Sequence, residues 1–171
     1  MLEAKHKMKL FYAVRPWETE PDHAEWIDGE VDHPTTNATG FKCRIVRNET
    51  TGTLCGYVGV PKGNRFWGMD YNAEDDDLIA VSREVHGGLT FASMDKDGWW
   101  FFGFDTAHAD DFAPKIVELL IKSKYEFKDR GLRFHDCMNY RTWEFVENEV
   151  HWLAWRLAKY DQYEKEGDDA E

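Results

Sequence analysis

Basic residues are scarce in this sequence. Its 171 residues include 21 Lys and Arg against 33 Asp and Glu, which gives a formal net charge of −12 at pH 7. Proteins that bind a phosphate backbone present a basic surface to it. The composition therefore argues against direct binding to a nucleic-acid backbone.

Long apolar runs are absent, and cysteine is rare. No stretch approaches the roughly 20 apolar residues of a membrane-spanning helix, and the first residues contain no signal-peptide hydrophobic segment. The three cysteines are odd in number and have no metal-ligand spacing. We therefore expect a cytoplasmic protein with reduced thiols and no membrane association.

The familiar motifs of nucleotide binding and hydrolysis are also missing. The sequence contains no Walker-type loop and no G-x-G-x-x-G, G-x-S-x-G or H-E-x-x-H pattern. It does contain 15% aromatic and 42% hydrophobic residues, which predict a folded core. The length fits one domain. We assign residues 1–163 to a single globular domain and residues 164–171 to an acidic disordered tail.

Alternating apolar and polar residues predict two β-hairpins. The first pairs Phe41 to Asn48 with Thr53 to Val60, across a turn rich in Asn, Thr and Gly. The second pairs Gly88 to Ser93 with Trp99 to Phe104. Proline and glycine interrupt every run in residues 15–40, so we predict that this segment wraps irregularly around the core.

Two helices are predicted after the hairpins. Pro114 suits the first turn of a helix, with Asp110 or Asp111 available as its N-cap. From Tyr140 to Tyr163, apolar residues recur at helical spacing and predict one long helix with a single buried seam. The seam consists of Trp143, Val146, Val150, Leu153 and Leu157. The predicted fold class is α+β, a mostly antiparallel sheet built from two hairpins with the long C-terminal helix packed on it.

Two imidazoles and two carboxylates are predicted to meet at the open end of the second hairpin. A turn centred on Lys96 places position 86 opposite position 106, where opposed Cβ atoms lie about 5 Å apart. This brings together His86, Asp105, His108 and Asp111. Such groups either ligate a divalent metal ion or act as an acid–base pair. We therefore predict His86, Asp105 and His108 as catalytic residues, and all four as metal ligands.

Each of these residues also has a structural interpretation. His86 is equally compatible with a core histidine bonded to the backbone. Asp105 fits the closing of a turn, and Asp111 fits the N-cap of the next helix. The aromatic run from Trp99 to Phe102 fits a strand covered on both faces, and it also fits the wall of a small-molecule pocket.

Three strings carry a family resemblance. They are LCGYVGVP from Leu54 to Pro61, HGGLTF from His86 to Phe91, and WWFFGFDTAH from Trp99 to His108. Together with a looser match at Tyr140-Arg141 and in the final helix, they resemble a largely uncharacterised family of small bacteriophage, prophage and bacterial proteins. The resemblance also marks further positions as ligand-binding candidates, which are Tyr57, Asp70, Gly87, Gly88 and Thr90.

The resemblance implies an accessory role in a bacterium or an infected host cell, such as counter-defence. We expect a polar His/Asp pocket that takes a small, nucleotide-like ligand and either holds it or hydrolyses it with a divalent metal ion. The alternative is an acidic inhibitor that binds a basic host-protein surface as a nucleic-acid mimic, without catalysis. Deleting residues 167–171 weakens the partner complex only under this alternative. The sequence leaves the ligand, the enzymatic status and the oligomeric state open.

Overall fold

One five-stranded sheet dominates the part of the chain that the structure describes. The computed structural model describes residues 15–29, 38–122 and 139–168. After a short 3-10 helix, Pro16–Glu18, the elements are β1 (His23–Ile27), β2 (Lys42–Arg47), β3 (Leu54–Val60), α1 (Asp76–Arg83), β4 (Phe91–Met94), β5 (Trp100–Asp105), α2 (Pro114–Lys122) and α3 (Trp143–Asp168).

Every neighbouring pair of strands in this sheet is antiparallel, in the order β1-β2-β3-β5-β4. Strands β3 and β5 lie side by side inside the sheet and are buried along most of their length. Strands that are covered on both faces carry apolar residues on both faces, as these two do. Helix α3 packs on β2 and β3 and covers one face of the sheet. The predicted α+β fold with a long C-terminal helix on an antiparallel sheet is confirmed.

The buried seam of α3 follows the predicted spacing. Val146, Val150, Leu153 and Leu157 are fully buried, and Trp143 is partly buried against the same core. The helix begins three residues after the predicted start at Tyr140, and its backbone continues to Asp168. The predicted acidic tail therefore begins inside the helix, while residues 169–171 lie outside the described residues.

Residues 15–40 are not uniformly irregular, so that prediction is wrong for β1. The strand pairs with β2 along its whole length, with Trp26 opposite Cys43. Trp26 packs against the core and against the His151 ring, 5.7 Å away between centroids. The sequence pattern did not predict this strand, because it is only five residues long and prolines and glycines flank it. Its stability comes from pairing with β2, which is not adjacent in sequence.

Four consecutive acidic residues, from Glu74 to Asp77, lie at the start of α1. The Asp75 carboxylate accepts a hydrogen bond from the Leu78 backbone N–H at 2.8 Å, which makes Asp75 the N-cap. Arg65 pairs with Asp75 at 2.9 Å and also contacts Asp77. The run is therefore used in capping and ion pairing within the fold.

The register of the second hairpin differs from the prediction. Phe91 lies opposite Gly103 and Ala92 opposite Phe102, so the turn is centred on position 97 instead of 96. Strand β4 begins at Phe91, because Gly87 and Gly88 both have positive φ angles (69° and 84°) that end extended backbone. His86 therefore lies in the turn after α1, and the prediction that it opposes position 106 across the sheet is wrong.

Replacing Leu153 with Ala tests the seam. Because Leu153 is fully buried between α3 and the sheet, we expect a loss of about 2 to 5 kcal/mol in the free energy of unfolding. Gln162→Ala on the exposed side of the same helix is the control, with an expected change of about 0.5 kcal/mol or less. Urea unfolding measures both. Equal losses in the two variants would show that Leu153 is not a core residue.

A buried hydrogen bond between an aspartate and a histidine ties the end of β1 to α3. His151 Nδ1 lies 2.8 Å from Asp28 Oδ1, and Thr39 donates to Asp28 Oδ2 through its hydroxyl (2.7 Å) and its backbone N–H (2.9 Å). Burial raises the pKa of the Asp28 carboxyl, but the hydrogen bonds from His151 and Thr39 outweigh it and hold this pKa below the ordinary value.

The lowered pKa of Asp28 predicts a specific acid sensitivity. The folded state favours the carboxylate, so its contribution is complete above the ordinary value of 3.8 and is lost as pH falls through the lowered folded-state value. We expect Asp28→Asn to be less stable at pH 7, with the deficit shrinking below about pH 4. Unfolding free energies measured from pH 7 to pH 2 give the difference curve. A deficit that stays constant to pH 2 would contradict the assignment.

Candidate functional site

Three of the four predicted metal-ligand residues converge beside the end of β5. Asp111 Oδ2 lies 2.8 Å from His86 Nε2 and 3.1 Å from His108 Nδ1. One potential ligand atom from each residue lies within 4.8 Å of the other two. The two imidazole rings meet edge to face, with centroids 5.1 Å apart. We call these three residues the His–Asp cluster.

Local backbone features place the two histidines. The His86 backbone N–H donates to Glu149 Oε2 of α3 at 3.1 Å, and its ring meets the Phe145 ring edge to face. The His108 ring lies against Gly87, where a Cβ atom would come within 2.0 Å of it. Two constraints therefore favour glycine at position 87: the backbone has a positive φ angle, and the His108 ring lies too close for a Cβ atom.

Asp111 is the centre of the cluster. Its side chain is only 1% exposed and accepts contacts from four donors: the rings of His86 and His108, the His108 backbone N–H at 3.1 Å, and Arg141 Nε at 2.8 Å. Burial opposes its ionisation, but the hydrogen bonds from His86, Arg141 and the His108 backbone hold the pKa of Asp111 below its usual value.

Two of the structural interpretations fail on this geometry. The carboxylate oxygens of Asp111 face the histidines and Arg141, so Asp111 is not simply an N-cap for α2, which does begin at Pro114 as predicted. The His86 ring bonds to a carboxylate instead of the backbone, and its side chain is partly exposed. Sequence spacing alone could not separate these cases, because both depend on which way the loop folds.

Asp105 lies beside the cluster without belonging to the group of three. Its Oδ1 is 4.0 Å from His108 Nε2 and also accepts a hydrogen bond from the Ala107 backbone N–H, which closes the turn. Its Oδ2 accepts a hydrogen bond from the Thr90 hydroxyl at 3.1 Å. Asp105 therefore fits the turn interpretation, and it lies next to His108 but outside the group of three, so its predicted role as a fourth metal ligand stays a prediction.

The other ligand-binding candidates divide into two groups. Tyr57, Thr90 and Asp105 line a common groove of about 390 Å³ at this end of the sheet. Gly87 and Gly88 form the turn that follows His86. Asp70 is in neither group: it does not line this groove, and its described hydrogen bonds go to the backbone of Asn72 and Ala73 in its own turn.

Sequence reasoning missed Arg141 and Glu149. Arg141 fixes the second oxygen of Asp111, and Glu149 holds the His86 backbone. The looser match at Tyr140-Arg141 was the one available signal for Arg141. Glu149 gave none, because a glutamate on a long helix ordinarily marks only a solvated face.

Comparisons with protein-family models, with curated proteins and with solved structures find no match to this chain. The resemblance to the phage and bacterial family therefore stays a prediction. In the part of the chain that the structure describes, no helix is both long enough and apolar enough to cross a membrane.

Substituting Gly87 tests whether close packing places His108. A methyl group at Gly87 collides with the His108 ring and also strains a positive φ, whereas Gly68 has a similar φ of 87° and open space around it. We expect Gly87→Ala to cost about 1 to 3 kcal/mol more than Gly68→Ala. Thermal unfolding measures the difference. Equal costs in the two variants would mean that the His108 ring is not packed on Gly87.

Proposed function

We propose that the protein binds a divalent transition-metal ion through His86, His108 and Asp111, and presents it to a small ligand at the end of the sheet. The observation that carries the proposal is the convergence of three ligand atoms within 4.8 Å. Imidazole nitrogens and carboxylate oxygens bind Zn²⁺ at about 2.0 to 2.2 Å. Three protein ligands leave a fourth position for water or ligand, as catalytic zinc sites do.

The spacing of the ligand atoms supports this proposal. Two ligands of a tetrahedral ion at about 2.1 Å lie about 3.4 Å apart. The two imidazole nitrogens lie 2.8 and 3.1 Å from Asp111 Oδ2, which is a hydrogen-bonded arrangement. An ion that replaces the shared protons would widen the two nitrogen–oxygen separations by about 0.3 to 0.6 Å and hold the two nitrogens about 3.4 Å apart, within the 4.8 Å span of the three ligand atoms.

Arg141 has the role of an outer partner of a metal site, and Asp105 lies close to such a position without a hydrogen bond to His108. Metal-bound histidine usually donates its other ring N–H to a carboxylate, and ligating carboxylates are themselves hydrogen-bonded. Asp105 lies 4.0 Å from His108 Nε2, and Arg141 bonds to the second oxygen of Asp111. Arg141 orients the carboxylate, although its charge also opposes the approach of a cation.

A second candidate function needs no metal. The hydrogen bond between His108 Nδ1 and buried Asp111 leaves Nε2 facing Asp105, and the His108 side chain is 35% exposed. A buried carboxylate that orients an imidazole in this way is the arrangement used in general acid–base catalysis. His108 would then transfer a proton to or from a ligand beside Asp105.

The family resemblance supplies a biological context for either version. A small protein with a metal-binding or acid–base site could sequester or hydrolyse a small ligand as a phage accessory protein in counter-defence. This context is part of the proposal and rests on the resemblance alone.

Metal titration with matched histidine variants tests the proposal. Protein stripped of metal is titrated with Zn²⁺ by calorimetry and with Co²⁺ by visible absorption. We expect one site in the wild type, and affinity at least about tenfold lower in His86→Ala and in His108→Ala, since even outer partners cost that much. The control is His23→Ala, which removes an exposed histidine 3.4 Å from Glu25.

The control defines the outcome that would contradict metal binding. If all three variants bind Zn²⁺ as the wild type does, or if the wild type binds none, the His–Asp cluster is not a metal site. Melting temperatures of the two cluster variants should fall only modestly, because each substitution removes one ring from the buried Asp111 carboxylate while its other donors remain. A collapse of the fold in His86→Ala would assign that ring a structural role instead.

A further inference from the structure

A groove lies next to the His–Asp cluster and is separated from it by Asp105. Its lining includes Tyr57, Thr90, Phe91 and Asp105, and its volume is about 390 Å³. This volume is at the lower end of the range for small-molecule pockets. We call it the Asp105 groove.

The charge of the groove is negative. Asp105 is the one acidic residue among the described residues that line it, and its side chain is 34% exposed. Burial raises the pKa of Tyr57 to about 12, with smaller contributions from Cys55 and Asp105. Burial likewise raises the pKa of the Cys55 thiol, and the Asp105 charge adds to this. Both groups are therefore uncharged at neutral pH.

No lysine or arginine lines this groove among the residues that the structure describes. The positive charge of Arg44 acts on Tyr57 and partly offsets the rise in its pKa, but the Arg44 side chain lies over the Phe101 ring and pairs with Glu25. In the metal-free protein, an anionic ligand such as a phosphate would meet the Asp105 carboxylate with no lysine or arginine among the described lining residues to offset its charge. The groove consequently disfavours a nucleotide-like anion and favours a cation.

The polar atoms that Asp105 and Thr90 present to the groove are hydrogen-bond acceptors. The Asp105 carboxylate accepts from the Thr90 hydroxyl and the Ala107 backbone N–H, which fills two of its roughly four lone-pair positions. The Thr90 hydroxyl has committed its proton to Asp105, so its oxygen is left as an acceptor. These acceptors match an ammonium group, which carries only donors.

Two aromatic rings stand beside these acceptors. The Tyr57 and Phe91 rings meet edge to face with centroids 5.4 Å apart, and Phe91 is 41% exposed. The Tyr57 ring packs against Gly103, where a Cβ atom would come within 2.4 Å of it. A cation near aromatic ring faces is attracted by their electron density, and more strongly where water is excluded.

We infer that the Asp105 groove binds a small organic cation, a protonated amine whose ammonium group bonds to Asp105 and Thr90 and whose carbon skeleton lies against Tyr57 and Phe91. This site requires no metal ion, so it stands or falls separately from the function proposed above. The inferred ligand class, a protonated amine, is one that neither the sequence motifs nor the family resemblance predicted.

Three ligands that share one ring test the charge preference. Benzylamine, benzyl alcohol and benzoate are titrated at pH 7 into wild-type protein kept metal-free with a chelator, and backbone amide NMR shifts are followed. We expect benzylamine to bind at least about tenfold more tightly than the alcohol, as expected for a charge-assisted hydrogen bond, with shifts at Thr90, Phe91 and Tyr57. Benzoate should not bind. Equal binding of the three ligands, or tighter binding of benzoate, would overturn the proposal.

A pair of carboxylate variants locates the site. Asp105→Asn keeps the shape and removes the charge, and it should lower benzylamine affinity about tenfold or more. Asp76→Asn removes an exposed carboxylate outside the groove and should leave the affinity unchanged. If Asp105→Asn binds benzylamine as the wild type does, the amine site is elsewhere and the inference fails. The three-ligand comparison in the wild type decides the question even if Asp105→Asn does not fold.

Discussion

The buried carboxylate of Asp111 is the constraint on which the candidate site depends. It receives hydrogen bonds from the turn after α1, from the loop after β5 and from Arg141, which lies just before α3. A carboxylate that is 1% exposed would be costly without these donors. One side chain therefore fixes the relative positions of three segments that are far apart in sequence.

The sheet and the long helix supply the frame for this interaction. Strand β5 is central and delivers Asp105 and the loop that carries His108 to one end of the sheet. Helix α3, held on the sheet by its buried seam, contributes Glu149 to the His86 backbone. The position of the cluster is thus a consequence of the same packing that stabilises the fold.

Local patterns in the sequence were sufficient for elements whose evidence is local. The seam of α3 and the strands β2 and β3 follow from apolar periodicity, which burial against one partner imposes on the sequence. The predicted register of the second hairpin was wrong, because the residues of the turn did not reveal where its centre lies. Gly87 and Gly88 also separate His86 from β4, so His86 is not part of the strand. His86 still reached His108 and Asp111, through the turn after α1. Arg141 and β1 were missed because their partners are distant in sequence.

The most direct measurement for the central claim is a crystal structure of the protein grown with Zn²⁺, with data collected on both sides of the zinc absorption edge. The account predicts one anomalous peak at the His–Asp cluster, about 2.0 to 2.2 Å from His86 Nε2, His108 Nδ1 and an Asp111 oxygen. A structure in which these three side chains keep their mutual hydrogen bonds, with zinc bound elsewhere or not at all, would contradict it.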